Sequence, residues 1–256
     1  MEQVIYTSML AANKILDKQA ITANNLANIS TIGFKEQLLS QLSLPVNNSK
    51  LFKNKYKIPE DNYPYSNFSS GPINHTQRDL DLSIPGNGWF VIRDKYSKNK
   101  EGYTRNGHLK ITTDGKLMIN HYLVVGKSGV ISLPKNKNIY VSTSGIINLT
   151  NFNREKLNNN SIDKLKLVNP DPKYLIRGNN GIFYLNEQGL KKWKNTIPDD
   201  KEIKLTSGTL EDSNVNINEN LINLIAHEKH FSIEMKIISD CDQNIQRANQ
   251  LLNINN

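Results

Sequence analysis

The chain has 256 residues, a formal charge of +8, 37% hydrophobic residues and one cysteine. That length admits one or two domains with a real core. The single Cys241 excludes an intrachain disulfide, and no apolar run approaches the ~18 residues that span a bilayer, so direct membrane insertion is not expected. The positive charge comes mostly from Lys scattered among Asn and Ile, a mixture that AT-rich codon usage favours. Its densest stretch, Lys50, Lys53, Lys55 and Lys57, sits in a polar segment without any nucleic-acid-binding motif, so a solvated surface is expected and no nucleic-acid partner.

The first element is a helix from about Gln3 to Asn28, free of Gly and Pro. Ile5, Met9, Ala12, Leu16, Gln19, Ala23 and Leu26 alternate steps of four and three, which places them on one stripe that seeks another helix. The helix stops in Ile29-Ser30-Thr31-Ile32-Gly33, where glycine can turn the chain. From Lys35 to about Ser70 the sequence is polar and carries Pro45, Pro59 and Pro64. It reads as an extended linker, with a short helical extension around Glu36 to Leu42.

The middle of the chain reads as an antiparallel β domain. Leu80, Leu82 and Ile84 alternate with Asp79, Asp81 and Ser83, so the two carboxylates are expected on a solvent face. Gly86-Asn87-Gly88 then turns into Trp89-Phe90-Val91-Ile92. Asn106-Gly107 and Asp114-Gly115 are hairpin signals, since Asn or Asp before Gly tolerates the positive φ of tight turns. Further short runs are Tyr122 to Val125, Val130 to Leu133, Ile139 to Val141, Leu165 to Val168, Ile182 to Leu185 and Ile203 to Leu205, with Asn151 to Asn160 as a surface loop.

The last helix is expected after Asn216, which with Glu219 can cap it, and runs unbroken to about Leu252. Leu221, Leu224, Glu228, Phe231, Met235, Ile238, Asp242, Ile245, Asn249 and Leu252 repeat the heptad stepping. Cys241 is read as a small buried hydrophobe on this helix. The fold class is therefore α+β: N- and C-terminal helices that pair as a coiled-coil-like assembly domain, with a central antiparallel β domain. The expected division is 1–34, an N-terminal assembly helix; 35–75, a linker; 76–212, the β domain; and 213–256, a C-terminal assembly helix.

Catalytic chemistry finds little footing. His227-Glu228-Lys229-His230 spaces its histidines by three, whereas a zincin helix needs four to aim both rings at one ion. Gly86-Asn87-Gly88 is too short for a dinucleotide loop and enters a strand. No Gly-x-Ser-x-Gly elbow occurs, and Cys241 has no evident His partner. No enzyme, metal or cofactor is expected.

Four segments carry a family resemblance. Ala23-Asn24-Asn25-Leu26-Ala27-Asn28-Ile29-Ser30-Thr31-Ile32-Gly33-Phe34-Lys35 resembles the N-terminal signature of bacterial flagellar basal-body rod and hook proteins. Leu80 to Ile92 is similar to a second family segment. Gly102-Tyr103-Thr104-Arg105-Asn106-Gly107 with Asp114-Gly115-Lys116-Leu117 is similar to a third, and Gly208 to Asn216 to a fourth. They stand in family order and cover nearly the whole chain. Ile5 to Met9, Asn25 to Phe34 and Arg247 to Leu252 look more like the proximal-rod member than the distal-rod or hook proteins, although Ile32 stands where a proline is common.

The resemblance implies a structural subunit of the rod, the drive shaft between motor and hook. It implies partners among the other rod proteins, proximal and distal, and copies of itself. It also implies passage through the flagellar type III export apparatus into a periplasm-spanning rod. The opening Met1-Glu2-Gln3 lacks a basic n-region, which fits export without a cleaved signal peptide. A reading of a different class is a soluble β-domain interaction module whose terminal helices form an intramolecular coiled coil.

Overall fold

The computed structural model describes residues 2–39, 64–94, 101–134, 138–150, 161–194 and 196–253. The architecture is α+β, with long helices α1 (Glu2–Ala27) and α3 (Ile217–Asn253) at the ends, the short α2 (Glu187–Trp193) between them, and strands elsewhere. The chain forms two compact units. A helical unit takes residues 1–29, 36–67 and 215–256, and a β unit takes residues 30–35 and 68–214.

In the helical unit α1 packs against α3. Neither helix contains Gly or Pro, so nothing interrupts the backbone ladder. Asn216 caps α3 as its sequence position suggests: its Oδ1 accepts from the N–H groups of Asn218 and Glu219 at 3.1 and 3.4 Å. Gln37–Leu39 pairs antiparallel with Pro64–Ser66 and lies beside α1. Gln37–Leu39 is thus a strand where a helical turn was expected. Its backbone groups are taken by the partner strand and by the Asn25 side chain rather than by a local helix. Residues 40–63, including Pro45, Pro59 and the Lys50 to Lys57 stretch, lie outside the described residues.

The β unit is built on a sheet whose central strand, Trp89–Arg93, pairs with Glu101–Thr104 on one side and Tyr122–Gly126 on the other. Outward from these lie Phe183–Leu185 and Leu175–Arg177 at one edge, and Leu117–Ile119 and Leu109–Ile111 at the other. Asn138–Val141, Ile146–Thr150 and Ser161–Lys164 form a separate three-stranded sheet. Two short pairs bring the end of the unit back to its beginning: Thr206–Ser207 on Leu82–Ser83, and Thr209–Glu211 on Ile73–His75.

The unbroken apolar run Trp89-Phe90-Val91-Ile92 is explained by a sheet covered on both faces. Phe90 and Ile92 enter the larger core with Leu82, Leu109, Leu117, Val124, Ile147 and Leu167. Trp89 and Val91 enter a second core with Tyr103, Val125, Val168 and Phe183. The neighbours Val124 and Val125, and again Leu167 and Val168, divide between the two cores because strand side chains alternate faces. An aromatic trio closes the second core, with Trp89 and Phe183 ring centres 4.9 Å apart and Phe68 at 5.7 and 5.5 Å from them.

Three local expectations are corrected. Asp114-Gly115 does turn a hairpin, between Leu109–Ile111 and Leu117–Ile119, with Gly115 at φ +76°. Asn106-Gly107 does not, because the strands flanking it pair with other partners. Gly107 is required there by proximity: a Cβ on it would lie 1.6 Å from the carbonyl oxygen of Leu82. Asp81 is not on a solvent face but buried, with its Oδ1 2.7 Å from His108 Nδ1, whereas Asp79 is exposed. Ile203 and Leu205 form no strand, yet both are buried in the larger core.

Candidate assembly surfaces and the motif junction

The covered line of α1 runs Ile5, Ser8, Ala12, Ile15, Gln19, Thr22 and Leu26. It shares Ile5, Ala12, Gln19 and Leu26 with the predicted stripe, but between them Ser8, Ile15 and Thr22 turn inward while Met9, Leu16 and Ala23 are exposed. On α3 the covered line is Asn220, Leu224, His227, Phe231, Glu234, Ile238, Cys241, Ile245 and Ala248. Four of the ten predicted positions are covered: Leu224, Phe231, Ile238 and Ile245. At five others the covered position lies one residue toward the N-terminus, leaving Leu221, Glu228, Met235, Asp242 and Asn249 exposed. The side chain of Leu252 lies outside the described residues.

Stepping four-then-three and three-then-four share every other position of a heptad, so two overlapping lines are open to each helix. Ser8, Ala12 and Thr22 are small, and the Thr22 hydroxyl donates to the Lys18 carbonyl of its own helix at 2.9 Å. The amide of Asn220 donates to Asn216 O at 2.9 Å and to the Glu36 carboxylate at 3.2 Å. His227 is held below its ordinary pKa, first by burial and then by the charges of Lys18 and His230. The consequence is an apolar remainder on the outside: Met9, Leu16, Leu221 and Met235 keep 41–52% of their surface in solvent. Val4, Tyr6, Ile217, Ile222, Ile225, Ile233 and Ile237 are exposed as well. Isolated exposed apolar residues are ordinary; a succession along two adjoining helices is not.

The family-motif residues divide their work. In the helical unit, Asn25 is buried and behaves as a strand partner: its Nδ2 donates to Gln37 O at 2.8 Å and its Oδ1 accepts from Gln37 N–H at 2.9 Å. Asn28 caps the last turn of α1, its Nδ2 donating to Asn24 O at 2.9 Å. Asn24 and Ala27 are exposed, and Leu26 is half-buried.

Gly33, Phe34 and Lys35 belong to the β unit, where they meet Arg105 of the third motif and Glu211 of the fourth. Gly33 stands at φ +68°, and a Cβ on it would lie 2.4 Å from the Arg105 carbonyl carbon. Its N–H donates to Glu211 O at 2.7 Å. The Arg177 guanidinium stacks over the Phe34 ring at 4.2 Å and donates to Lys35 O at 2.8 Å. Lys35 and Arg105 flank the Glu211 carboxylate, and all three are buried. The sequence signature singled out Gly33 and Phe34. The roles of Arg105 and Glu211 were not legible, because their partners are distant in the chain.

Among the described residues no group of three or more His, Cys, Asp or Glu side chains could hold a metal ion, and no helix is long and apolar enough to cross a membrane. His227 is half-buried in the covered line and His230 is exposed.

Comparison with known proteins matches this arrangement. Residues 5–35 match the family described as flagella basal body rod protein, residues 83–149 the flagellar hook protein FlgE/F/G D1 domain, and residues 206–251 the flagellar basal body rod FlgEFG protein C-terminal family. The chain belongs to the flagellar basal-body rod protein family and is a structural subunit of the basal body. It is 44% identical to the flagellar basal-body rod protein FlgF of Buchnera aphidicola subsp. Schizaphis graminum over all of both chains. It is 34% identical to FlgF of Salmonella typhimurium, covering 99% of this chain and 100% of that one. Likeness to the rod protein FlgG of Bacillus subtilis is lower, 23% over 94% and 96% of the two chains.

Proposed function

We propose that the chain is a proximal-rod subunit that polymerises through α1 and α3, with the β unit forming the outer part of a tube that transmits torque and whose inner helices line an export channel. The observation that carries this reading is the apolar succession left outside the helix pair, Met9 and Leu16 on α1 with Leu221, Ile225 and Met235 on α3. In this reading α1 and α3, which pack together, pair as a coiled coil along the covered heptad line and leave the helical unit of one subunit incomplete. Neighbouring rod subunits, both copies of this chain and the other proximal and distal rod proteins, then bury what remains.

Passage through the flagellar type III export apparatus accords with that role, as does residence in a rod that crosses the periplasm. The role is structural and requires no catalytic group or cofactor.

The test separates the two faces of α3. Leu221→Ser with Met235→Ser removes outward apolar surface and is expected to leave the melting of the isolated chain unchanged while preventing its incorporation into basal bodies. Normal incorporation of that double variant would overturn the proposal.

A further inference from the structure

One buried carboxylate in the β unit serves two buried cations. Lys35 Nζ lies 2.7 Å from Glu211 Oε1 and Arg105 Nη1 lies 3.3 Å from Glu211 Oε2, with the three side chains 1–3% exposed. The remaining polar contacts tie in chain segments far apart in sequence. Gly71 N–H donates to Glu211 Oε1 at 3.0 Å, Lys35 Nζ donates to Ser69 O at 2.7 Å, and Arg105 donates to Ile84 O at 2.9 Å and to Gly86 O. Lys35 and Glu211 are 176 positions apart.

We propose that Glu211 is the closing element of the β unit. The strip from Thr206 to Asn214 is laid down in the same cooperative step that folds the central sheet, and the unit has no stable folded form with that strip detached.

Electrostatics supplies the reason. Without Glu211, Lys35 and Arg105 would be two cations out of water with no counter-charge, and each raises the cost of burying the other. Burial already depresses the pKa of both, with the carboxylate opposing that tendency. Arg105 cannot leave quietly. It follows the strand Glu101–Thr104 directly, lies over the Trp89 ring at 5.6 Å, and holds the turn that feeds Trp89–Arg93. A failure at Glu211 therefore reaches the central strand pair of the sheet. The strip is further locked by its pairings with Leu82–Ser83 and Ile73–His75, and by the buried Ser83–Thr209 hydroxyl contact at 2.7 Å.

Native-state hydrogen exchange on the full chain tests this. The amides of Gly33, Gly71 and Asp212, which bond across the junction, are compared with those of Trp89–Arg93 and Glu101–Thr104. The expected result is one shared opening equilibrium for both sets, with Glu211→Gln lowering protection in both by the same factor, roughly a hundred-fold or more. If that variant does not fold, Lys35→Met, which keeps the Arg105–Glu211 pair, is measured instead and is expected to show the same joint loss at smaller amplitude. Junction amides that open separately, with strand protection unaffected by either substitution, would overturn the inference.

Discussion

The Asn25 side chain completes the hydrogen bonding of Gln37, offering donor and acceptor together to both of its backbone groups at 2.8 and 2.9 Å. An amide side chain in this pose reproduces the peptide edge of a neighbouring strand. It explains why a motif asparagine is buried near the end of a helix, where such a residue would otherwise be unfavourable. Asn25→Asp keeps the acceptor but sets a carboxylate against the Gln37 carbonyl. It should destabilise the helical unit by about 1–3 kcal/mol, and Asn25→Ala by a similar amount. Helical circular dichroism followed through a thermal melt reads this directly, and an unchanged midpoint for Asn25→Asp would contradict the assigned geometry.

The covered and exposed lines of the helices should respond differently to substitution. Ile15→Ala or Phe231→Ala removes apolar surface from the covered line and should lower the melting midpoint of the isolated chain by several degrees. Phe231→Asp and Leu224→Asp should in addition block rod assembly while leaving the tryptophan signal of the β unit native-like. Basal bodies purified from cells carrying each variant would show whether the subunit is incorporated.

Two glycines with positive φ offer a matched comparison. Gly33→Ala meets backbone at 2.4 Å, whereas Gly86, at φ +83°, has open space where a Cβ would go. Gly86→Ala should therefore cost only the conformational term, about 1–2 kcal/mol, while Gly33→Ala should prevent normal folding of the β unit. Urea unfolding of both variants distinguishes them, and equal midpoints would show that the Gly33–Arg105 approach is not constraining.

The central strand of the sheet is buried on both faces, with Phe90 and Ile92 in the larger core and Trp89 and Val91 in the second. Phe90→Ala, in a position buried on the larger core, should destabilise the unit by about 3–5 kcal/mol, as the cavity adds to the lost transfer energy. Denaturant titration of tryptophan fluorescence measures this, and a loss below about 1 kcal/mol would mean that the core collapses around the gap.

The helical unit should weaken in mild acid. Because the folded state depresses the pKa of His227 below its ordinary 6.5, the unfolded chain takes up this proton first. The stability held above pH 6.5 is lost progressively as pH falls below that value toward the folded pKa. The charges concerned are Lys18 on α1 and His230 on α3. His227→Gln should flatten the pH dependence of the helical melt between pH 7.5 and 5.5. A slope unchanged by that substitution would assign the effect to other groups.

Local pattern in the sequence was enough for the two long helices, the Asn216 cap, the Asp114-Gly115 hairpin and the antiparallel character of the middle. Helical period, capping chemistry and β-branched runs act over a few residues and are written where they operate. The family signature likewise survives as contiguous motifs. Tertiary structure alone decided which of two overlapping heptad lines is covered, because that choice is made by the fit between two helices separated by about 190 residues of chain. It also decided the fate of Asp81, Gly107 and Glu211. Burial of a charge, near-contact of two backbones and the pairing of Lys35 with a carboxylate 176 residues away are properties of the folded neighbourhood, and no local stretch of chain encodes them legibly.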